Sequence, residues 1–158
     1  MKGLEPLIGA VLVIVITISA IALIIQISKP SIDRQKEIII FDSAKNIMKS
    51  IDNSIKDVSS EAQGSSRKIK IDIVEGVLLI KDNKIVYNLD SPSQIIGKDI
   101  IQQENNLRII GLDKKISMEL YYDNIDIIGN YEIWSDSELI IRNSGISAGK
   151  TQIEIIAQ

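Results

Sequence analysis

The chain has 158 residues, a formal net charge of −3, and neither cysteine nor histidine. Disulfides, zinc fingers, thiol nucleophiles and imidazole bases are therefore excluded, and no basic field is present to hold nucleic acid. The length suits one small domain plus a helix, because the first 28 residues cannot belong to a water-soluble core.

Those residues read MKGLEPLIGAVLVIVITISAIALIIQIS. No charge occurs from Pro6 to Ser28, and the only hydroxyls between Leu7 and Ile25 are Thr17 and Ser19. At ~1.5 Å rise per residue, such a run is long enough to cross a hydrocarbon layer ~30 Å thick. A helix is expected from about Leu7 to Ile27. Pro30 biases Lys29 away from helical angles and predicts a kink or a short break there.

From Ser31 to about Glu61 the pattern becomes amphipathic. Ile40, Ala44, Ile47, Ile51, Ile55 and Val58 recur at helical spacing, while Asp42, Lys45, Lys49, Asp52 and Lys56 are expected mostly on other faces. Such a stripe suits a helix laid on a sheet. It also suits a self-associating helix, and different faces can serve both purposes.

EAQGSSRK then reads as a Gly/Ser linker, and the period of the pattern changes from 3.6 to 2. RKIKIDIVEG places Ile69, Ile71 and Ile73 on one face, with Lys68, Lys70 and Asp72 on the other. GVLLIKDNKIVYNLD predicts a hairpin turning at Lys81-Asp82-Asn83-Lys84, with the asparagine suited to the left-handed position. NLRIIGLD, KISMELYYD, NIDIIG, YEIWSD, ELIIRNSG and TQIEIIAQ predict further strands. Short strands separated by Gly, Asn and Asp, with no helical stretch between them, indicate an antiparallel sandwich or barrel-like sheet. Tyr121, Tyr122, Tyr131 and Trp134 are expected to fill its core and rim, a carbohydrate-binding face being the alternative.

No constellation for catalysis emerges. SGISAGKT imitates a phosphate-binding loop, but the first glycine position falls on Ser144, Gly145 is one residue too close, and a strand pattern follows where a helix is required. Asn143–Lys150 is expected instead to be a loop between strands. Asp72, Glu75, Asp113, Glu119, Asp123, Asp126, Asp136 and Glu138 are scattered over polar strand and turn positions. YYDNIDIIG lacks the glycine and distal glutamate of a calcium loop. An enzyme, a cofactor and a bound metal are accordingly not expected.

An ordinary secretory signal has a shorter apolar stretch. A cut after Ala20-Ile21-Ala22 would also leave Leu23-Ile24-Ile25 heading the mature chain. The arrangement KGLEPLIGAVLVIV instead resembles the class III signal peptide of archaeal type IV pilins and pilin-like proteins. Lys2-Gly3 matches the short leader, and Leu4-Glu5-Pro6-Leu7-Ile8-Gly9 matches the start of the mature helix. The resemblance covers about the first 28 residues; the rest agrees only in plan.

The resemblance implies cleavage by a prepilin peptidase between Gly3 and Leu4, with Lys2 in the charged leader. It implies residence in the membrane as a precursor, then assembly with copies of the same chain by the pilus machinery into a surface filament. Residues 1–3 would be leader, 4–28 the hydrophobic helix, 29–62 an amphipathic helical extension and 67–158 the β head domain. Glu5, Pro6 and Gly9, with the small residues Ala10, Ser19, Ala20 and Ala22, are the expected assembly positions. Glu5 stands second in the mature chain, where bacterial pilins carry a glutamate fifth. The implied orientation, N-terminus inside, runs against the charge rule, since Lys29, Arg34 and Lys36 flank the far end of the span. A monomeric single-span protein with an extracytoplasmic β domain that binds a ligand or partner is the alternative, and a minor pilin lies between the two. The expected fold class is α+β: a long hydrophobic N-terminal helix, then an all-β antiparallel sandwich-like head.

Overall fold

The computed structural model describes residues 4–158, with side chains described from Gly9 onward. One helix, α1 (Leu4–Ser60), precedes ten strands. The chain divides between Lys36 and Glu37 into two compact units, the second containing the last part of α1 and all the strands.

The break expected at Pro30 does not occur, because Pro30 lies inside α1. Proline removes one amide donor, the one directed at the carbonyl of Gln26. Helical turns on both sides propagate cooperatively past that single missing bond.

In the second unit, α1 buries Ala44, Met48, Ile51, Ile55 and Val58 completely or nearly so. The stripe differs from the expected one: Met48 belongs to it, whereas Ile40 and Ile47 are only partly buried. Asp52, assigned to a polar face from its charge, is 7% exposed and sits among these apolar residues. Its carboxylate accepts from the Tyr122 hydroxyl at 2.8 Å, the Asn106 amide at 3.1 Å and Lys56 Nζ at 2.6 Å. A charge is tolerated at that depth only with such a full set of donors. Burial, reinforced by the adjacent Asp52 charge, holds the Tyr122 phenol protonated well above its ordinary range.

The strands are β1 (Ser66–Ile71), β2 (Val77–Lys81), β3 (Lys84–Asp90), β4 (Ile101–Glu104) and β5 (Leu107–Leu112). They continue as β6 (Lys115–Leu120), β7 (Ile125–Ile128), β8 (Tyr131–Ile133), β9 (Ser137–Ser147) and β10 (Lys150–Ala157). They form a four-stranded sheet in the order β1-β9-β10-β7 and a six-stranded sheet in the order β4-β5-β6-β3-β2-β8. The inward faces of both sheets and the α1 stripe make one hydrophobic core.

Pairing is antiparallel throughout except for β7 beside β10, which is parallel. A parallel neighbour requires a crossover, and the chain makes it through β8 and β9, which lie in different sheets. The β2–β3 hairpin turns on Asp82 (φ 53°) and Asn83 (φ 61°), the pair of left-handed residues that a two-residue turn needs. Asn83 also ties the two sheets together. Its Oδ1 accepts from the Ile127 amide at 2.5 Å, and its Nδ2 donates to Asp126 at 3.2 Å.

Three further expectations are corrected. Asn143–Lys150 is mostly strand: β9 continues to Ser147, and only Ala148 (φ 51°) and Gly149 (φ 79°) form the turn. β4 was not anticipated, its segment IQQE being exposed at all four positions and thus lacking alternation. Among the aromatic residues, Tyr121 and Trp134 are exposed rather than packed, and the buried ring is Tyr87. Tyr87 donates to the Glu75 carbonyl at 2.7 Å, and burial followed by the Glu75 charge pushes its phenol up to about 12.

Gly111 is required by a close approach: a Cβ there would stand 2.2 Å from the Gly97 carbonyl oxygen, where the β3–β4 connection crosses β5.

Replacing Tyr122 by Phe removes the hydroxyl that Asp52 accepts. The expected loss is about 1.5–3 kcal/mol, the range for a hydrogen bond to a charged group, read as a lower urea midpoint at unchanged slope.

Candidate functional site: the exposed apolar helix and its anchorage

Every residue from 9 to 27 is exposed. The large apolar side chains from Val11 to Ile27 are each 52–75% exposed, on every face of the helix. A helix apolar all round is at home in lipid or among other helices and not in water. At ~1.5 Å per residue this stretch covers roughly 28 Å, matching a hydrocarbon core ~30 Å thick. Among the described residues, one helix is long and apolar enough to cross a membrane, and it is this one.

The two hydroxyls within it bond to the backbone of their own helix. Thr17 Oγ1 donates to the Val13 carbonyl at 2.7 Å and Ser19 Oγ to the Val15 carbonyl at 2.8 Å. Each returns to the residue four positions earlier, so neither hydroxyl is left without an acceptor in an apolar surrounding.

Of the expected cleavage residues, Lys2 and Gly3 lie outside the described residues. Leu4, Glu5 and Pro6 begin the helix, and their side chains also lie outside the description. Proline is tolerated in a first turn, where the amides have no intrahelical acceptor. At ~100° per residue, Gly9 and Ala20 fall on nearly one line along the helix, while Ser19 and Ala22 share another face. Gly9 has open space where a Cβ would stand. The helix thus brings the small residues together in two pairs, Gly9 with Ala20 and Ser19 with Ala22, and leaves Ala10 apart.

The second unit grips its own part of α1 at four polar points. Glu37 accepts from Ser91 Oγ at 3.1 Å, the Ser93 amide at 3.1 Å and Ser93 Oγ at 2.8 Å, holding the start of the β3–β4 connection. Asp52 forms the second point. Glu104, at the end of β4, receives Lys45 at 2.8 Å and Lys49 at 2.6 Å. Hydrogen bonds from these two lysines hold its carboxyl down at about 2.

The fourth point closes the helix C-terminus. Asn143 Nδ2 donates to the carbonyls of Val58 at 3.2 Å and Glu61 at 3.1 Å, and its Oδ1 accepts from the Gly145 amide at 2.9 Å. Helix ends leave carbonyls without partners, and here a strand residue supplies them. Ser144 is the extra residue of a β9 bulge, the pairing stepping from Gly145 opposite Gln152 to Asn143 opposite Ile153. Asn143 continues the inward alternation of Leu139 and Ile141 and is 5% exposed.

Glu37, Asp52 and Asn143 are the positions that pattern reading missed. Asp52 carried one signal: it lies four residues after Met48 and three before Ile55, on the apolar line itself. Of the scattered acidic residues, Asp72 and Asp136 come together. A hydrogen bond to Asp136, then its negative charge, raises the Asp72 carboxyl above its usual range. Both are exposed. Asp126 is engaged by Asn83 and by Lys150 at 3.3 Å. Among the described residues, no group of three or more His, Cys, Asp or Glu side chains is arranged to hold a metal ion.

No family model matches this chain, and no curated protein or solved structure matches it.

Two outcomes follow from this geometry. Ile18→Lys puts a charge at the middle of the apolar stretch, at a cost of about 2.5–3.5 kcal/mol on the translocon-insertion scale. The variant is expected to leave the membrane fraction while its β-sheet circular dichroism is retained. Glu104, its carboxyl lowered by folding, contributes stability above the ordinary carboxylate range near 4.5. That contribution declines as the pH falls toward about 2. The difference in unfolding midpoint between wild type and Glu104→Gln is therefore expected to be largest above pH 5 and to shrink across that window.

Proposed function

We propose that this chain is the structural subunit of a type IV pilus-like surface filament. The helix resides in the membrane before assembly and is buried against helices of other copies afterwards. The observation that carries the reading is the single helix with two surfaces: apolar on every face from 9 to 27, and apolar on one buried stripe from 44 to 58. The first surface demands a partner that is not water; the second already has one in the β domain. Burying apolar area yields ~25 cal/mol per Å², so a stretch exposed on all sides drives association strongly once it leaves lipid.

The leader pattern at Lys2-Gly3 and the helix start at Leu4-Glu5-Pro6 supply the route into such an assembly. A prepilin peptidase cutting after Gly3 would free the α-amino group of Leu4. Glu5 would then pair with that amine, in its own or a neighbouring subunit, because a carboxylate at membrane depth is costly unless paired. The β domain is left for adhesion or surface contact.

A monomeric single-span protein with its β domain outside the membrane is the second reading. Thr17 and Ser19 are compatible with it, since hydroxyls bonded within their own helix suit lipid as well as protein.

The test is the intact mass and N-terminal sequence of the protein from its native surface fraction. A chain beginning at Leu4 and sedimenting as filaments is the expected result. A chain retaining Met1 or Lys2 and behaving as a monomer supports the anchor reading. A start near Leu23 means ordinary secretion and overturns both. Glu5→Ala is expected to lower filament yield, and normal assembly by that variant removes the role given to Glu5.

A further inference from the structure

The outer face of the six-stranded sheet carries a cleft of about 610 Å³, within the ~300–1,000 Å³ typical of small-molecule sites. Its floor follows from the register. Gln103 on β4 stands opposite Arg108 on β5, and Arg108 stands opposite Glu119 on β6. Opposed residues share a face, so these three side chains form one polar row on the outside of the sheet. Tyr121, Lys84 and Asp123 complete the wall, with Ile101 and the amides of Asn105 and Asn106 alongside.

Three features of this cleft need an occupant. The Tyr121 ring is 65% exposed and Ile101 55%, two apolar surfaces left open beside the polar row. Tyr122, the next residue, is tied inward to Asp52, so the two tyrosines take opposite environments. The charges are also uncommitted. Among the described residues, Lys84, Arg108, Glu119 and Asp123 join no ion pair, whereas Lys68–Glu138 and Lys150–Asp126 close within 4 Å. Finally, the four charges balance, two cationic and two anionic.

We propose that this cleft binds a neutral saccharide. A pyranose presents one face of C–H bonds, which stacks on an exposed aromatic ring, and a rim of hydroxyls that both donate and accept. Guanidinium and ammonium groups donate to such hydroxyls, carboxylates accept from them, and side-chain amides do both. A balanced set of charges attracts neither a phosphate nor a polycation, whereas a polyol uses both signs at once. Tyr121 is the stacking platform; Arg108 and Glu119 hold adjacent hydroxyls across the strand pair; Ile101 closes the apolar side. The cleft lies wholly within residues 84–123.

The test uses the full chain in a detergent without a sugar headgroup, such as lauryldimethylamine oxide. It is presented to an array of neutral hexose and N-acetylhexosamine oligosaccharides beside sialylated and sulfated ones. Affinities for bound members are then measured by titration calorimetry. The expected result is binding of neutral members, weakened about tenfold or more by Tyr121→Ala and little changed by Tyr121→Phe. Glu119→Gln serves as a second variant, expected to weaken binding while leaving the circular dichroism and the thermal midpoint unchanged. Failure to bind any neutral saccharide, preference for the anionic ones, or wild-type affinity in Tyr121→Ala overturns the proposal. None of these results bears on filament assembly, which the N-terminal mass tests separately.

Discussion

The constraint on which this structure depends is that one uninterrupted helix must satisfy two different surroundings. Between Ala44 and Val58 it presents a single apolar line, and the β domain covers that line so completely that all five of its apolar members are at 0–1% exposure. Between residues 9 and 27 it presents apolar side chains in every direction, all of them exposed. A globular domain has only one core to offer. The β domain therefore claims the half of α1 with a stripe, and the half without one is left to lipid or to other helices. The four polar contacts, at Glu37, Asp52, Glu104 and the helix end, fix which turns of α1 the domain holds.

Much of this was legible in the amino-acid pattern because burial imposes periodicity. The apolar run, the change from period 3.6 to period 2, and the Asp82-Asn83 turn are all direct records of geometry. Where the pattern misled, two physical effects competed. Pro30 is a local helix breaker, but α1 extends far enough on both sides to carry the helix through it. Asp52 is charged and was placed outside, yet three donors compensate it inside. No local signal announces donors that lie about 54 and 70 residues away.

β4 escaped notice for a different reason. All of its residues are exposed, and it is held by its hairpin with β5 and by two lysines of α1 acting on Glu104. An edge strand stabilised by tertiary charge pairs carries no alternation to detect. The functional surfaces divide along the same line. The apolar helix was visible at once, since hydrophobicity in one long run cannot be disguised. The row from Gln103 to Glu119 was not, because it exists only once β4, β5 and β6 lie side by side.

The Asn143 contact with the end of α1 also governs the order in which the molecule can be completed. The carbonyls of Val58 and Glu61 wait for a side chain more than eighty positions later, on a strand that lies between β1 and β10. During synthesis the apolar helix emerges first and can enter a membrane while the stripe from Ala44 to Val58 still has no sheet to cover it. Contacts this distant in sequence make closure slow and keep that stripe uncovered in the interval. Entry of the helix into lipid at that stage would double as a tether, holding a half-made domain apart from its neighbours until its last strands arrive.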